Sequence, residues 1–200
     1  MANWDGSPVF VPAMILFGCW NLFLLFWLVT AWWAKKKVYR QPAAEQRAYL
    51  LPLVIGLLLI AGVERGIPPL RFLAEPLYPQ QVAPAWLGAA LGVIGLVLAI
   101  WARVTLGRNW SGVVTLKEGH ELVTSGPYAA IRHPIYTALI AMFAGFALLF
   151  GSIGAWIGLA LAGYSFWIKL RQEEALMIGQ FPDSYPAYMQ RTKRLFPAIF

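Results

Sequence analysis

The chain reads as an all-α integral membrane protein with about five transmembrane helices, and three features of the sequence say so. Of its 200 residues 60% are hydrophobic and only 12% are charged, against about 25% charged in soluble domains. The hydrophobic residues gather into runs long enough, or nearly so, for the about 20 helical residues that a bilayer core demands. The 16 Lys and Arg fall almost entirely in alternate connecting segments. The net charge of +7 has no soluble basic face to act through, so it points to anionic headgroups and not to nucleic acid. Cys19 is the only cysteine; it allows no intramolecular disulfide and reads as a buried, inert thiol.

The first run, Val9 to Trp33, is interrupted mainly by Asn21 and Thr30 and closes on Trp32 and Trp33, as interfacial aromatics do. It lacks the basic leader, short apolar core and small-residue cleavage site of a signal peptide. Lys35-Lys36-Lys37 and Arg40 stop it. The second run, Tyr49 to Val63, is short, and Glu64-Arg65 and Pro68-Pro69 end it. It predicts a short or tilted span, an irregular loop as far as Pro84, and an interfacial Glu64–Arg65 ion pair. Ala85 to Ala102 is the third span, with Gly88, Gly92 and Gly95 near one face for close helix packing. Pro134 to Phe150 and Ile153 to Ile168 are the fourth and fifth. Gly151-Ser152 leaves room only for a tight turn, which predicts an antiparallel hairpin whose two helices pack on each other. A polar, amphipathic helix follows from about Lys169, Pro182 breaks it, and Tyr185 to Leu195 predicts a second short one.

Orientation follows from the basic residues. With five spans, the segments 35–47, 103–132 and 169 onward hold five, four and five Lys or Arg, and the opposite side holds only Arg65 and Arg71. The positive-inside rule then puts the N-terminus outside and the C-terminus in the cytoplasm, in the cell's inner membrane. Arg191, Lys193 and Arg194 read as surface anchors. The whole is a single membrane domain, residues 1–200, with residues 1–103 as scaffold spans and the distinctive polar blocks in residues 104–200.

Those blocks are Gly119–Tyr136 (GHELVTSGPYAAIRHPIY, holding both histidines), Arg171–Phe181 (RQEEALMIGQF) and Ser184–Pro197 (SYPAYMQRTKRLFP). In this order around a helical hairpin they resemble the isoprenylcysteine carboxyl methyltransferase family and the wider phospholipid methyltransferase group. The resemblance covers Leu106 to Pro197. Ala138 and Pro182 stand where the family commonly has glycine, which bears on pocket shape and not on the fold. The resemblance implies S-adenosylmethionine as cofactor, bound by a cytoplasmic loop, the start of the fourth span and the C-terminal helix.

By that resemblance the cofactor-binding residues are His120, Glu121, Leu122, Val123, Tyr128, His133, Pro134, Ile135, Tyr136 and Glu173. Chemistry agrees with the types. A helix start has unsatisfied N–H groups and a positive dipole end that suit the cofactor's carboxylate, and Pro134 loses nothing at the first helical position. Glu173 suits an ammonium or ribose hydroxyls. Catalytic candidates are Lys169, Arg171 and Arg132 as cations that would position the acceptor, and Glu174 as proton acceptor should the acceptor be an amine. No metal ligands are assigned. A carboxylate acceptor is already ionised at neutral pH and needs no general base. Asn109 and Trp110 read as structural. The acceptor implied is lipophilic or lipid-anchored, with a carboxylate such as a prenylcysteine α-carboxyl first. The alternatives are a phospholipid or amine N-methyltransferase, a sterol-reductase-like enzyme using NADPH, and a scaffold without activity.

Overall fold

The computed structural model describes residues 7–32, 39, 41–115, 119 and 121–197. Six α-helices account for most of them: α1 (Phe10–Ala31), α2 (Ala43–Ile60), α3 (Val82–Leu106), α4 (Pro134–Phe150), α5 (Ile153–Gln180) and α6 (Ser184–Arg191). Helices α1, α2, α3 and α5 are long and apolar enough to cross a membrane; α4 is apolar but has 17 residues, about 26 Å at 1.5 Å per residue. Leucine, valine and isoleucine on the outer faces of α1, α2 and α3 are exposed, which is the surface that lipid covers.

Between α4 and α5, Gly151 closes α4 in the left-handed region (φ 64°) and Ser152 caps α5 by accepting from the Ala155 N–H. The two helices, expected to pack on each other, each have a different main partner. α4 lies chiefly on α3, and α5 chiefly on α2. Glycines bring each pair together. A Cβ on Gly88 would lie 2.6 Å from the Gly145 carbonyl oxygen, and one on Gly56 would lie 2.7 Å from that of Gly158. Gly95 is equally tight against the Ala138 carbonyl, so the glycine stripe of α3 packs α4 as its sequence implied, while Gly92 meets Leu16 of α1. Two partners with paired small residues hold a helix better than a sequence neighbour without them.

The fifth span and the polar helix are one continuous helix, α5, whose last three turns leave the apolar part of the bundle. α2 begins at Ala43, before the apolar run, and carries Pro52 inside it. Beyond α2 the chain forms short 3-10 turns over Val63–Gly66 and Pro68–Ala74. These are latched to the α4–α5 turn: the Leu77 N–H donates to Gly151 O (2.8 Å), the Ile153 N–H to Glu75 O (3.1 Å) and the Tyr78 hydroxyl to Leu148 O (2.9 Å). The expected Glu64–Arg65 ion pair is not formed among the described residues. Glu64 turns inward, 1% exposed, and its carboxyl oxygens have no hydrogen-bond partner, whereas Arg65 stays exposed. Neighbours on a tight helical turn point in different directions, and only one of the two could face the bundle.

Candidate functional site

At the other end of the bundle a cavity of about 430 Å³ opens between all six α-helices and two loops. It is bounded by Trp27 of α1, Leu53 of α2, the segment 109–115, the segment 121–123 with Tyr128, the first turns of α4, and Phe166, Lys169, Glu173 and Met177 of α5, with Tyr185 and Tyr188 of α6. Residues as far apart in sequence as Trp27 and Tyr188 thus line one cavity.

The polar side is built on α4 and α5. The Tyr136 hydroxyl donates to Glu173 Oε1 (2.7 Å). The His133 ring stacks on Tyr136 with centroids 5.4 Å apart and planes 13° apart, and its Nδ1 lies 3.6 Å from Glu173 Oε2. Phe166 backs Tyr136 from the other side at 5.2 Å and 7°. The Glu173 carboxylate is therefore fixed at one oxygen while a quarter of its side chain stays exposed. Lys169, one turn earlier on the same face, donates to Gly112 O (2.8 Å) and lies over the rings of Tyr49 (5.4 Å) and Tyr136 (5.5 Å). Its charge is thereby held against aromatic faces, which attract a cation.

Glu174 has a different task. It is buried, and its Oε1 receives Arg132 Nε (2.7 Å) while Oε2 receives Arg194 Nε (2.9 Å). His133 Nε2 stands 3.4 Å from Oε1. Arg132 Nη1 also donates to the carbonyls of Met189 (3.2 Å) and Thr192. The backbone repeats the connection: residues 130–133 pair with 193–194 through Lys193 N to Ala130 O (3.2 Å), Arg132 N to Lys193 O (2.8 Å) and His133 N to Arg194 O (3.0 Å). The segment after α6 is thus sewn to the entry of α4, and Glu174 neutralises the guanidiniums that cross the seam. Buried charges are tolerable when paired and hydrogen-bonded in this way.

This seam changes what the start of α4 can offer. The N–H groups of Arg132 and His133 are committed to the C-terminal segment, Pro134 has none, and those of Tyr136 and Thr137 reach His133 O. Ile135 N–H is left as the open donor there among the described residues, on top of the positive end of the helix dipole.

Of the residues the sequence assigned to a cofactor, Glu121, Leu122, Val123, Tyr128, His133, Ile135, Tyr136 and Glu173 line the cavity. Pro134 is buried behind them, and His120 lies outside the described residues. Of the catalytic candidates, Lys169 and Arg132 line it, Arg132 with Nε and Nη1 already engaged. Arg171 is exposed and does not line it, and Glu174 is withdrawn into the seam. Trp27, Leu53, Asn109, Trp110 and Gly112 line it without having been assigned. Trp110, read from the sequence as structural, is the one with a retrievable signal: a lone Trp in a polar loop, on the basic side.

The tyrosines are kept as donors. Burial pushes the Tyr128 hydroxyl well above its ordinary value, with the Glu173 charge adding to it. Burial likewise raises Tyr185, and pushes Tyr188 up to about 12. Loss of hydration disfavours the phenolate, so these hydroxyls stay protonated at neutral pH. The cavity thus combines neutral O–H donors, one open backbone N–H, the carboxylates of Glu121 and of the quarter-exposed Glu173, one lysine and an apolar side. A ligand carrying an ammonium, a carboxylate and an aromatic base has partners for each group here, which is the composition of S-adenosylmethionine.

Residues 88–179 match the isoprenylcysteine carboxyl methyltransferase (ICMT) family. The chain is 29% identical over 161 residues to protein-S-isoprenylcysteine O-methyltransferase of Schizosaccharomyces pombe, covering 76% of this chain and 68% of that protein. It is 33% identical over 140 residues to the nickel-cobalt-cadmium resistance protein NccN of Alcaligenes xylosoxydans xylosoxydans, covering 69% of this chain and 64% of that one. Against the Xenopus laevis protein-S-isoprenylcysteine O-methyltransferase it is 30% identical over 129 residues, covering 62% and 45%. The matched stretch therefore spans 45% to 68% of the length of these relatives.

Proposed function

We propose that this chain, whose residues 88–179 match the isoprenylcysteine carboxyl methyltransferase family, transfers a methyl group from S-adenosylmethionine to the carboxylate of a lipophilic or lipid-anchored acceptor. One observation carries this reading: a single cavity holds His133, Tyr136 and Glu173 on one side, Lys169 beside them, and an apolar flank reaching α1 and α2.

The bound cofactor supplies an electrophilic methyl group on a sulfonium. Glu173 receives its ammonium or ribose hydroxyls, Ile135 N–H and the α4 dipole receive its carboxylate, and Tyr128 with Glu121 to Val123 walls the adenosine end. Lys169 draws the acceptor carboxylate toward Glu173 and the donor. That carboxylate is ionised at neutral pH, so the residues need only align it and strip its water. The acceptor oxygen takes the methyl group and the C–S electron pair stays on sulfur, with no proton to move. An amine acceptor would need a proton acceptor; Glu174, the candidate the sequence offered, is occupied by Arg132 and Arg194, which leaves Glu173 for that role.

The acceptor reaches the site sideways from the bilayer. α1 packs on α3 and α4, and α2 packs on α5, with no extensive contact between α1 and α2 among the described residues. Trp27 and Leu53 stand on either side of that gap and both line the cavity. The site lies at the late end of α1, α3 and α5 and the early end of α2 and α4, which suits five crossings with α4 as a short one. With 14 of the 16 Lys and Arg in the segments at this end, the site faces the cytoplasm, the N-terminus lies outside, and the membrane is the inner one.

The test is calorimetry in detergent with S-adenosylhomocysteine and with NADPH, followed by methyl transfer to an S-prenylated N-acetylcysteine. S-adenosylhomocysteine is expected to bind, and the transferred label to be released by mild alkali, as a methyl ester is. Lys169→Ala should lower turnover at least about tenfold with cofactor affinity kept, and Arg171→Ala should resemble wild type. Binding of NADPH alone points to a reductase; an alkali-stable label points to an amine acceptor.

A further inference from the structure

The proposed acceptor needs a path for its hydrocarbon, and one wall of that path is built with unusual care. The cavity, about 430 Å³, sits at the low end of ligand pockets, which run from about 300 to about 1,000 Å³. A cofactor and the reacting end of an acceptor already claim that space. The acceptor's chain must therefore leave through the apolar flank toward the gap between α1 and α2.

At that flank Trp110 meets Trp27 edge to face, with centroids 5.9 Å apart and planes 87° apart. Trp27 is backed in turn by Phe23, stacked at 4.2 Å and 30°. Behind Trp110 is Arg103, which is 3% exposed and holds its guanidinium 4.5 Å from the Trp110 ring centre. Arg103 also donates to Thr30 O at the end of α1 (2.6 Å) and to Gly107 O just past α3 (2.7 Å), while its buried Nε has no hydrogen-bond partner. A cation at two helix C-termini is favourable in itself, and a lysine could supply that. A planar cation lying on an indole face requires arginine. The arginine thus locks Trp110 to the ends of α1 and α3 simultaneously, and Trp27 cannot swing aside because Phe23 fills the space behind it.

We infer that Trp110 and Trp27, in contact with each other, form the rigid wall of a slot whose other side is Leu53 of α2, and that this slot selects the acceptor by the cross-section of its hydrocarbon, passing a slim linear or methyl-branched chain and rejecting a bulky one, with Arg103 as the residue that positions Trp110. This deepens the proposed function and rests on it for the identity of the head group, not for the choice of tail. Apolar pockets discriminate between hydrocarbon shapes by about tenfold to 200-fold, which sets the size of the effect.

The test uses thioether ligands of equal carbon number, decyl, geranyl and adamantyl, each prepared with a carboxylate head and with an amine head. Their affinities are measured by calorimetry on the full-length, detergent-solubilised protein loaded with S-adenosylhomocysteine, and methyl transfer to the same ligands is followed in parallel. Wild type should prefer decyl and geranyl over adamantyl by about tenfold or more. Trp110→Ala should reduce that preference to about threefold or less, and Arg103→Lys should move it the same way while S-adenosylhomocysteine affinity stays within about twofold. Trp110→Phe, which keeps a flat ring, should retain the preference, and that separates a selective wall from mere loss of fold. The slot is overturned if wild type binds the three tails alike, if none of them binds in either head-group series, or if folded Trp110→Ala keeps the wild-type preference. The head-group comparison is read separately: a protein that prefers amines but still selects by tail cross-section retains the slot and loses the carboxylate reading.

Discussion

The two ends of the helical bundle each bury a glutamate, and they do so by opposite means. At the site end Glu174 sits among Arg132, Arg194 and His133, with both oxygens engaged. At the far end Glu64 is just as buried, yet neither oxygen has a hydrogen-bond partner. It lies against the first turn of α5, where a Cβ on Gly154 would come 3.4 Å from its Cδ. The positive end of a helix offers it partial compensation, but no cation among the described residues does. The difference separates a charge that holds the structure together from one the structure merely accommodates. Glu174 is the meeting point of α5, the entry of α4 and the segment after α6, so its loss strands two guanidiniums. Glu64 strands nothing.

That contrast can be broken most decisively at Glu174. Glu174→Gln should destabilise the protein by about 3–5 kcal/mol, the usual consequence of removing one member of a buried ion-pair network. Thermal unfolding in detergent should show a clearly lowered midpoint, together with lost cofactor binding because His133 loses its support. A variant that melts like wild type would mean that the carbonyls of Met189 and Thr192 suffice for Arg132 and the Trp167 ring for Arg194.

Its neighbour in sequence sharpens the same comparison. Glu173 makes one side-chain bond, to Tyr136, and leaves part of its carboxylate in the cavity. Glu173→Gln should therefore keep the fold while weakening S-adenosylhomocysteine at least about tenfold, as a lost charge-assisted contact of about 1.5–3 kcal/mol implies. Unchanged affinity by calorimetry would remove Glu173 from the cofactor's contacts, and a lowered melting point would make it a second structural glutamate.

The smallest effect is expected at the far end. Glu64→Gln should shift stability by no more than about 1 kcal/mol, and Glu64→Leu should be neutral or stabilising, since an unpaired buried polar group is replaced by an apolar one. Cofactor affinity should not change in either. A large loss of stability on Glu64→Gln would show that the α5 N-terminus depends on that charge, and the two ends would then be alike.

How much of this was legible beforehand depends on the range of the interaction involved. Pro134, Gly151 and the length of each apolar run are local signals, and the start and end of α4 fall where they said. The glycines of α3 announced close packing and found it in α4 and α1. Glu64 was misjudged because adjacency in sequence suggested a pair, while the direction of each side chain depends on which face of the turn meets the bundle. Trp110 and Trp27 were unassigned because their meeting joins a loop to a helix more than 80 positions earlier.

What the sequence determined by itself, then, is the all-helical membrane class of the protein, the uneven placement of basic residues and the ordered blocks that carry the family resemblance. It also fixed relative angles on α5: residues four apart share a face, and Arg171 falls about 160° from Glu173. It could not fix the absolute rotation of that helix. Only the packing of α5 on α2, through the close approach of Gly56 and Gly158 and the Ser165 hydroxyl donating to Tyr49 O (2.6 Å), sets which way the helix faces. That rotation turns Lys169 and Glu173 into the cavity, puts Glu174 into the seam and leaves Arg171 exposed. Helical periodicity is a property of the backbone alone, whereas rotation about the helix axis is chosen by whichever neighbour allows the tightest contact.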